Sequence, residues 1–438
     1  MKHPIFTAVA DDDTGATDLA GMLAGHGLRT ILVIDIPDPA AFERWTQGAD
    51  AVILGAGTRA LTPAQAYDLT RAGVRLAASL SPRVIEIKYC STFDSTEEGN
   101  IGPSLDAAMD ELGETFTVAL PALPVNGRTT FMGHHFVYQQ LLSDSPMRHH
   151  PLTPMRNPNL VTHLQAQTRR KVGLAAHPVT RDALERLRAA GVEIAILDCV
   201  SDADLTNVCE AIADLRLISG SSAPAMKLPA IWRRNGWWEP TCEGLSLPET
   251  GGRGCLIAAG SCSVATRGQN AWIESQGATV VVVDPLALAQ DEPCAAAESK
   301  AVETLEAGGV CLLKTASQPE DVARVQAWAG RQGLSVNETG LRIAYGLARL
   351  VRRVVEQRLP SCLIVAGGET AGAVCRTLEL GALEVGRNIE PGVPLCVSLG
   401  RFRLPVVLKS GNFGSPDFYG RARQAATRTS FSAPPTAV

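Results

Sequence analysis

Three adjacent aspartates near the N-terminus, Asp11, Asp12 and Asp13, are the first residues in the chain suited to acid–base chemistry. They follow an apolar stretch at 5–9 and precede the run Thr14-Gly15-Ala16-Thr17-Asp18. One aspartate is enough to cap a helix, whereas three neighbouring carboxylates repel one another and tend to raise a pKa or attract a cation. Such carboxylates suit recognition of a hydroxyl, general-base catalysis or Mg²⁺ binding, and we predict that Asp11 and Asp12 are catalytic.

Cations, amides and hydroxyls follow the next apolar segments of this half of the chain. Segments 51–54, 84–87 and 117–120 are predicted strands, and ligands of a doubly wound sheet lie beyond the carboxyl ends of its strands. A guanidinium or ammonium can pair with a carboxylate, and hydroxyl and amide groups suit a hydroxylated ligand. We predict a site for a small hydroxylated acid, formed by Arg59, Lys88, Ser91, Asp94, Asn126 and Arg128.

Two further patterns in this half admit other interpretations. The run Gly55–Ala60 formally matches the dinucleotide fingerprint G-x-G-x-x-A, but the helix signal, Thr62 followed by Pro63, comes later than that fingerprint requires. The adjacent histidine pairs at 134–135 and 149–150 cannot easily share one metal ion. One of these histidines could contact the substrate, and surface histidines are the alternative interpretation.

Small-residue turns after three strands of the C-terminal half predict a site for nucleotide phosphates. The predicted strands are 255–259, 362–365 and 405–408, and at least two of the turns open helices. Free N–H groups at helix N-termini bind phosphate, and glycine lets the backbone approach it closely. The sequence contains no G-x-x-x-x-G-K-[ST] motif, so this is not a P-loop protein. The residues predicted to form this nucleotide-phosphate site are Ser261, Ser263, Thr266, Gly367, Gly368, Glu369, Thr370, Gly372, Ser410, Gly411 and Asn412.

The elements that must position these residues alternate between short apolar strands and amphipathic helices. This pattern predicts an α/β fold of two domains, each a largely parallel sheet with helices on both faces. Residues 121–170 are irregular, which is typical of a functional or mobile segment. Residues 224–254, rich in proline and glycine, are also irregular. We place the domain boundary there and predict domains at 1–245 and 246–438.

Composition excludes several classes of protein. The 438 residues carry a net charge of −5, with 45% apolar and 19% charged residues, which excludes bulk disorder and gives no electrostatic footprint for nucleic acid. No stretch approaches the roughly 18–20 apolar residues of a membrane helix, and the acidic run rules against a signal peptide. The eleven scattered cysteines are expected to be reduced, so we expect a cytoplasmic protein that binds no membrane. The sequence does not identify metal ligands, and it is compatible with a monomer or a homo-oligomer.

The motifs at 10–18, 367–372 and 408–414 resemble A-D-D-x-T-G-A-x-D, G-G-E-T-x-G and L-K-S-G-N-F-G of the four-carbon acid sugar kinase family. The block 261–266 matches a further motif, and the resemblance covers nearly the whole chain. Two positions depart from the family pattern. Asp13 stands where an apolar residue is usual, and Ala371 where serine is common.

The resemblance implies a sugar-acid-binding N-terminal domain and an ATP-binding C-terminal domain. The segments 88–96, 98–103 and 121–129 look most like the branch that phosphorylates the C4 hydroxyl of a 3-oxo-tetronate, using ATP and Mg²⁺. A kinase for D-threonate or D-erythronate is the alternative within the family. From other classes, a dehydrogenase would depend on Gly55–Ala60, and a non-catalytic sensor would bind the sugar acid and ATP without turnover.

Overall fold

The computed structural model describes residues 3–150, 153–240, 245–249, 251–316 and 318–427. The chain divides into two compact units, residues 1–242 and 243–438. The boundary predicted between 245 and 246 stays a prediction, because residues 241–244 beside it lie outside the described part of the chain.

An eight-stranded parallel sheet forms the centre of the first unit, in the order β2-β3-β1-β4-β11-β5-β10-β9, and a small antiparallel sheet, β6-β7-β8, follows β5. The strands of the large sheet are short and almost wholly buried, as expected where helices cover both faces. The strands are β1 (Phe6–Ala10), β2 (Thr30–Ile34), β3 (Ala51–Gly55), β4 (Val84–Lys88), β5 (Thr117–Leu120), β6 (Arg128–Phe131), β7 (His134–Val137), β8 (Gln140–Leu141), β9 (Val172–Ala175), β10 (Ile194–Leu197) and β11 (Leu217–Gly220).

Helices lie on both faces of this sheet. Ala16 of the first helix lies over Gly55, whereas Gly73 of the third packs against Val9, whose side chain points to the opposite face. The helices are α1 (Asp13–Gly25), α2 (Pro39–Thr46), α3 (Pro63–Ser79), α4 (Ile101–Leu112), α5 (Leu160–Gln165), α6 (Arg181–Ala189), α7 (Asp202–Ile212) and α8 (Leu228–Arg234).

The second unit contains a seven-stranded sheet in the order β13-β14-β12-β15-β18-β17-β16. The first five strands are parallel, and β17 runs antiparallel to both of its neighbours. The strands are β12 (Cys255–Ala259), β13 (Thr279–Val283), β14 (Val310–Thr315), β15 (Cys362–Ala366), β16 (Ala382–Glu390), β17 (Val393–Ser398) and β18 (Pro405–Lys409).

A continuous apolar core joins this sheet to the ninth and fifteenth helices through Ile257, Ile364, Ile273 and Phe418. The eleventh helix packs on β12, β13 and β14. The helices are α9 (Val264–Ser275), α10 (Pro285–Ala289), α11 (Ala295–Glu306), α12 (Pro319–Gln332), α13 (Val336–Gln357), α14 (Gly368–Thr377) and α15 (Phe418–Thr427).

The predicted α/β class with largely parallel sheets is confirmed. The sequence analysis left residues 121–170 irregular, whereas they include β6, β7, β8 and α5. The ten described cysteines form no disulfide with one another, and Cys242 lies outside the described residues. No helix in the described ranges is both long and apolar enough to cross a bilayer.

Candidate functional site

The acidic run lies where the carboxyl end of β1 leads into α1. Asp12 is the N-cap of α1, and its Oδ1 accepts a hydrogen bond of 3.0 Å from the backbone N–H of Gly15. A Cβ atom at Gly15 would lie 2.6 Å from Oδ1 of Asp12 and 2.9 Å from Nζ of Lys88. Because only glycine permits this approach, the motif glycine lets Asp12 and Lys88 come together.

Arg59 binds both of the predicted catalytic acids. Its Nε and Nη2 donate to the two carboxylate oxygens of Asp11 at 2.8 Å, and Nη2 also donates to Oδ1 of Asp12 at 2.8 Å. The loop that carries Arg59 is fixed by Asn100, whose Nδ2 donates to three carbonyl oxygens within residues 58–61. The predicted contact of Arg59 with substrate would therefore fall to its remaining amino group, Nη1.

The two acids differ in what their oxygens can do. Both oxygens of Asp11 bind Arg59, and its side chain is 15% exposed. Burial raises the pKa of Asp11, and Arg59 opposes that rise. The side chain of Asp12 is 27% exposed, and its Oδ2 makes no hydrogen bond within the described residues. Asp12 thus has the geometry of a base that can meet a substrate hydroxyl.

Lys88 and Asp94, both predicted to bind substrate, lie beside Asp11. Lys88 ends β4, is 3% exposed, and donates from Nζ to the carbonyl of Tyr89 at 2.9 Å. Asp94 is buried and accepts a hydrogen bond of 2.5 Å from Oγ1 of Thr92. A polar cavity of about 20 Å³, room for one water molecule, is lined by Asp11, Arg59, Lys88, Asp94 and Asn100 among others.

Glu86 is a buried acid that the sequence analysis did not single out. It lies two residues before Lys88 on β4, so the two side chains point to the same face of the sheet. Neither of its carboxyl oxygens has a hydrogen-bond partner within the described residues. Burial raises the pKa of Glu86 to about 8, with the charge of Lys88 opposing the rise. At neutral pH, Glu86 is therefore mostly protonated and does not cancel the charge of Lys88.

Two histidines support the loop after β4. His135 is fully buried, with Nδ1 at 3.0 Å from Oγ1 of Thr130 and Nε2 at 2.8 Å from the carbonyl of Ser91. His163 places Nε2 at 2.6 Å from the carbonyl of Ser95. Burial lowers the pKa of His135 to about 4, so it is neutral. His135 therefore holds the loop after β4 by binding a backbone carbonyl of that loop, a role that the sequence analysis did not consider.

Asn126 lies between β5 and the small sheet, Arg128 is the first residue of β6 in that sheet, and neither lines the small cavity. Asn126 is exposed, and its carbonyl accepts a hydrogen bond from Nη1 of Arg128. The guanidinium of Arg128 lies 5.3 Å from the ring centroid of Tyr138. Arg128 is close enough to His135 for its charge to add to the lowering of the histidine pKa, after the larger effect of burial. The predicted substrate contacts of Asn126 and Arg128 stay predictions.

In the second unit, backbone hydrogen bonds join the three predicted phosphate loops, residues 260–266, 367–372 and 409–414. The N–H of Ser261 donates to the carbonyl of Ala366 at 3.3 Å. The N–H of Gly367 donates to the carbonyl of Lys409 at 2.9 Å. The loops, which are far apart in the sequence, thus form one surface at the carboxyl end of β12, β15 and β18.

Hydroxyls from the start of α9 bind the third loop. Oγ of Ser263 and Oγ1 of Thr266 donate to the carbonyl of Gly411 at 2.5 Å and 2.9 Å. A Cβ at Gly411 would lie 2.3 Å from Oγ of Ser261, so any larger residue there would force the Ser261 side chain to move. The carbonyl of Ser410, the residue before Gly411, accepts a hydrogen bond of 3.2 Å from the backbone N–H of Phe413. The hydroxyls of Ser263 and Thr266 are thus engaged within the surface, so its available donors are mainly backbone N–H groups.

The first turn of α14 is open to a ligand. Its N-cap is Gly367, at φ +123°, and no side chain caps the turn. The N–H groups of Gly368, Glu369 and Thr370 have no acceptor within the described residues. Gly368 and Glu369 are exposed, whereas Thr370 and Gly372 are buried. An uncapped helix N-terminus of this kind is suited to a phosphate group.

An apolar cavity of about 520 Å³ lies beside these loops, and its volume is typical of a small-molecule site. Gly260, Cys262, Glu369 and Thr370 line it on the loop side. The sequence analysis missed this cavity because its residues repeat at helical spacing and so read as ordinary core. Helices α12 and α13 supply most of the wall, including Val325, Ala329, Ile343, Ala344 and Leu347, and Leu334 between the two helices adds to it.

The geometry places a cluster of acids and cations in one α/β unit and, in the other, a surface of three loops beside an uncapped helix N-terminus. The family model of the sugar-binding N-terminal domain matches residues 6–228, and that of the nucleotide-binding C-terminal domain matches residues 256–419. The chain therefore belongs to the four-carbon acid sugar kinase family, as the sequence resemblance implied.

Curated relatives and solved structures support this placement along almost the full length. The chain is 43% identical to the 3-oxo-tetronate kinase of Cupriavidus necator and to that of Pseudomonas fluorescens, over 96% of each chain. The crystal structure of a Salmonella typhimurium LT2 protein superposes with a TM-score of 0.79 at 33% identity, covering 96% of this chain and 99% of the other. A Haemophilus influenzae protein of the DUF1537 family superposes with a TM-score of 0.78 at 31% identity, covering 95% and 99%.

Proposed function

We propose that this protein is an ATP-dependent kinase that phosphorylates the C4 hydroxyl of a 3-oxo-tetronate. The observation that carries the proposal is the grouping of Asp12, Arg59 and Lys88 at the carboxyl end of the first sheet. An available carboxylate oxygen beside fixed cations can activate a hydroxyl of a small anion. The names of the relatives, 3-oxo-tetronate kinase at 43% identity, support the choice of substrate.

On the acid side, Asp12 is the proposed general base. Its Oδ2 would accept the proton of the C4 hydroxyl while the hydroxyl oxygen attacks the terminal phosphorus of ATP. The bond from that phosphorus to the bridging oxygen would break, and this oxygen would leave with ADP. Asp11 is the proposed anchor for Arg59, because both of its oxygens are already bound. Lys88 and Arg128 are the proposed partners of the substrate carboxylate, with Ser91, Asp94 and Asn126 as candidates for its hydroxyl and keto groups.

On the nucleotide side, the 520 Å³ apolar cavity is the proposed site of the adenine ring, next to the three loops. The open first turn of α14 and the loop after β18 would bind the phosphates through backbone N–H groups. Phosphoryl transfer depends mainly on positioning and charge stabilisation, which such a rigid surface supplies.

This surface offers a magnesium ion one carboxylate, that of Glu369, beside the proposed phosphate site. Within the described residues no group of three or more His, Cys, Asp and Glu side chains forms a metal site. Mg²⁺ in kinases is held largely by phosphate oxygens and water, with one or two carboxylates. Glu369, exposed in the first turn of α14, is the carboxylate that would hold it. When bound, the ion would neutralise charge on the phosphates.

A coupled ADP-release assay with ATP and Mg²⁺ tests the proposal over a panel of four-carbon acids. The panel contains 3-oxo-tetronates of both C2 configurations, D-threonate, D-erythronate and L-threonate. Turnover confined to the oxo-acids is the expected result. Turnover on a plain tetronate would reject the substrate while retaining the kinase. No turnover with any acid, while ATP still binds, would favour a sensor.

A further inference from the structure

Lys409 is the one lysine or arginine in the three phosphate loops, 260–266, 367–372 and 409–414. It ends β18 and is 2% exposed. Its Nζ lies 3.1 Å from Oγ1 of Thr266 and 3.3 Å from the carbonyl oxygen of Gly411. None of the described carboxylates forms an ion pair with it, and burial lowers its pKa to about 8. Because burying an ammonium without a counter-charge is unfavourable, its place here points to a function.

The contacts of Lys409 fix the direction of one peptide group. The carbonyl of Gly411 accepts from Nζ of Lys409, from Oγ1 of Thr266 at 2.9 Å and from Oγ of Ser263 at 2.5 Å. In a trans peptide the N–H of the next residue points away from that carbonyl. The N–H of Asn412 therefore points away from this group of donors, and it has no acceptor within the described residues.

We propose that Lys409 is a positioning residue for nucleotide phosphate. It holds the carbonyl of Gly411 towards Ser263 and Thr266, so that the N–H of Asn412 faces the phosphate. It also places a positive charge behind that peptide group. If the peptide turned over, a carbonyl oxygen would face the phosphate in place of a donor, and the two would repel. This inference rests on the proposed function, since it takes the three loops as the phosphate site.

The test separates phosphate binding from binding of the nucleoside. Dissociation constants for adenosine, AMP, ADP and ATP are measured by calorimetry for the wild-type protein and for Lys409→Met. We expect the variant to bind adenosine within about twofold of wild type and ATP at least tenfold more weakly, since one hydrogen bond to a charged group can account for a tenfold change. The KM for the sugar acid should not change.

Two further substitutions keep the inference testable if Lys409→Met does not fold. Thr266→Val removes the hydroxyl that links Lys409 to Gly411 but keeps the shape of the side chain. It should therefore also weaken the binding of ATP more than the binding of adenosine. Thr266→Ser keeps the hydroxyl and should show the wild-type ratio of the dissociation constants for ATP and adenosine. Lys300→Met, on the exposed face of α11, removes one charge elsewhere and should change neither constant.

Each result decides between explanations. A selective loss of ATP affinity in Lys409→Met supports the inference. Equal losses for adenosine and ATP would mean that Lys409 only stabilises the fold, and an unchanged ATP affinity would mean that it does not act on phosphate; either overturns the inference alone. If the wild-type protein binds ATP no better than adenosine, the phosphate site itself is wrong, and the nucleotide part of the proposed function fails with it.

Discussion

The guanidinium of Arg59 holds the carboxylate of Asp11 through two hydrogen bonds of 2.8 Å, from Nε to Oδ2 and from Nη2 to Oδ1. This bidentate geometry is the strongest arrangement of such a pair, and it fixes the plane of both groups. Nη2 also reaches Oδ1 of Asp12. Asp11 therefore acts through Arg59, which in turn fixes the orientation of the acid proposed as the base.

Arg59→Lys should damage both stability and turnover. Lysine cannot form the planar pair, so the largely buried Asp11 would lose most of its compensation. Breaking a buried pair lowers the free energy of unfolding by about 3–5 kcal/mol, and we expect on the order of 2 kcal/mol because Arg59 is 25% exposed. Denaturant titration and initial rates measure the two effects. The control is Arg71→Lys, whose side chain is 46% exposed and which shares Glu111 with Arg75, so its stability should stay close to that of wild type.

Asp12→Asn should lower kcat by roughly 10²–10⁴-fold, because it removes the proposed proton acceptor with little change in shape. The affinity for ATP, measured by calorimetry, should stay at the wild-type value. Asp68→Asn, an exposed acid on α3, serves as the matched control. Full kcat in Asp12→Asn would show that another group takes the proton.

The framework of the fold follows from local sequence, since short runs of Val, Ile, Leu and Ala bounded by turns can only be buried strands. The strand at 117–120 and that at 255–259 were predicted with the bounds they have. The hairpin of β16 and β17 and the small sheet after β5 were missed. Their order depends on partners distant in the chain, and the pattern of their own residues is weak.

The candidate site was predictable as far as motifs and strand ends reach. Asp11, Asp12, Arg59, Lys88 and Asp94 do come together, because parallel strands place their carboxyl ends at one edge. The supporting roles of two residues escaped the sequence analysis. Asn100 and His135 act on backbone carbonyls of other loops, a contact that leaves no local signature in the chain.

Glu86→Gln should change how stability depends on pH. The folded protein keeps a proton on Glu86 up to about pH 8, whereas the unfolded chain releases it near the ordinary value of 4.5. Wild-type stability attributable to this group is therefore full below that value and falls as the pH rises towards 8. Glutamine cannot ionise, so this loss disappears.

The expected difference between wild type and Glu86→Gln grows with pH to on the order of 4 kcal/mol by about pH 8. Urea titrations at several pH values measure it. The readout is the slope of stability against pH, so a constant penalty from the buried amide does not affect it. Parallel curves for the two proteins would show that Glu86 is already ionised in the folded state at neutral pH.

Gly330→Leu tests the proposed adenine cavity. Gly330 lies in the last turn of α12, lines the cavity, and has open space where a Cβ would stand. A leucine side chain there should fill part of the cavity and raise the KM for ATP about tenfold, with the KM for the sugar acid unchanged. The helix itself should gain about 0.5–1 kcal/mol, because leucine favours a helix more than glycine does.

Two comparisons separate filling of the cavity from other effects of the Gly330 substitution. Gly330→Ala adds one methyl group and should raise the KM for ATP far less. Gly268→Leu places the same side chain at a glycine of α9 that is exposed and has open space around its Cβ position, and it should leave the KM for ATP near wild type. Equal values of KM for ATP in wild type and Gly330→Leu would place the adenine ring elsewhere, because a side chain in its site must compete with it.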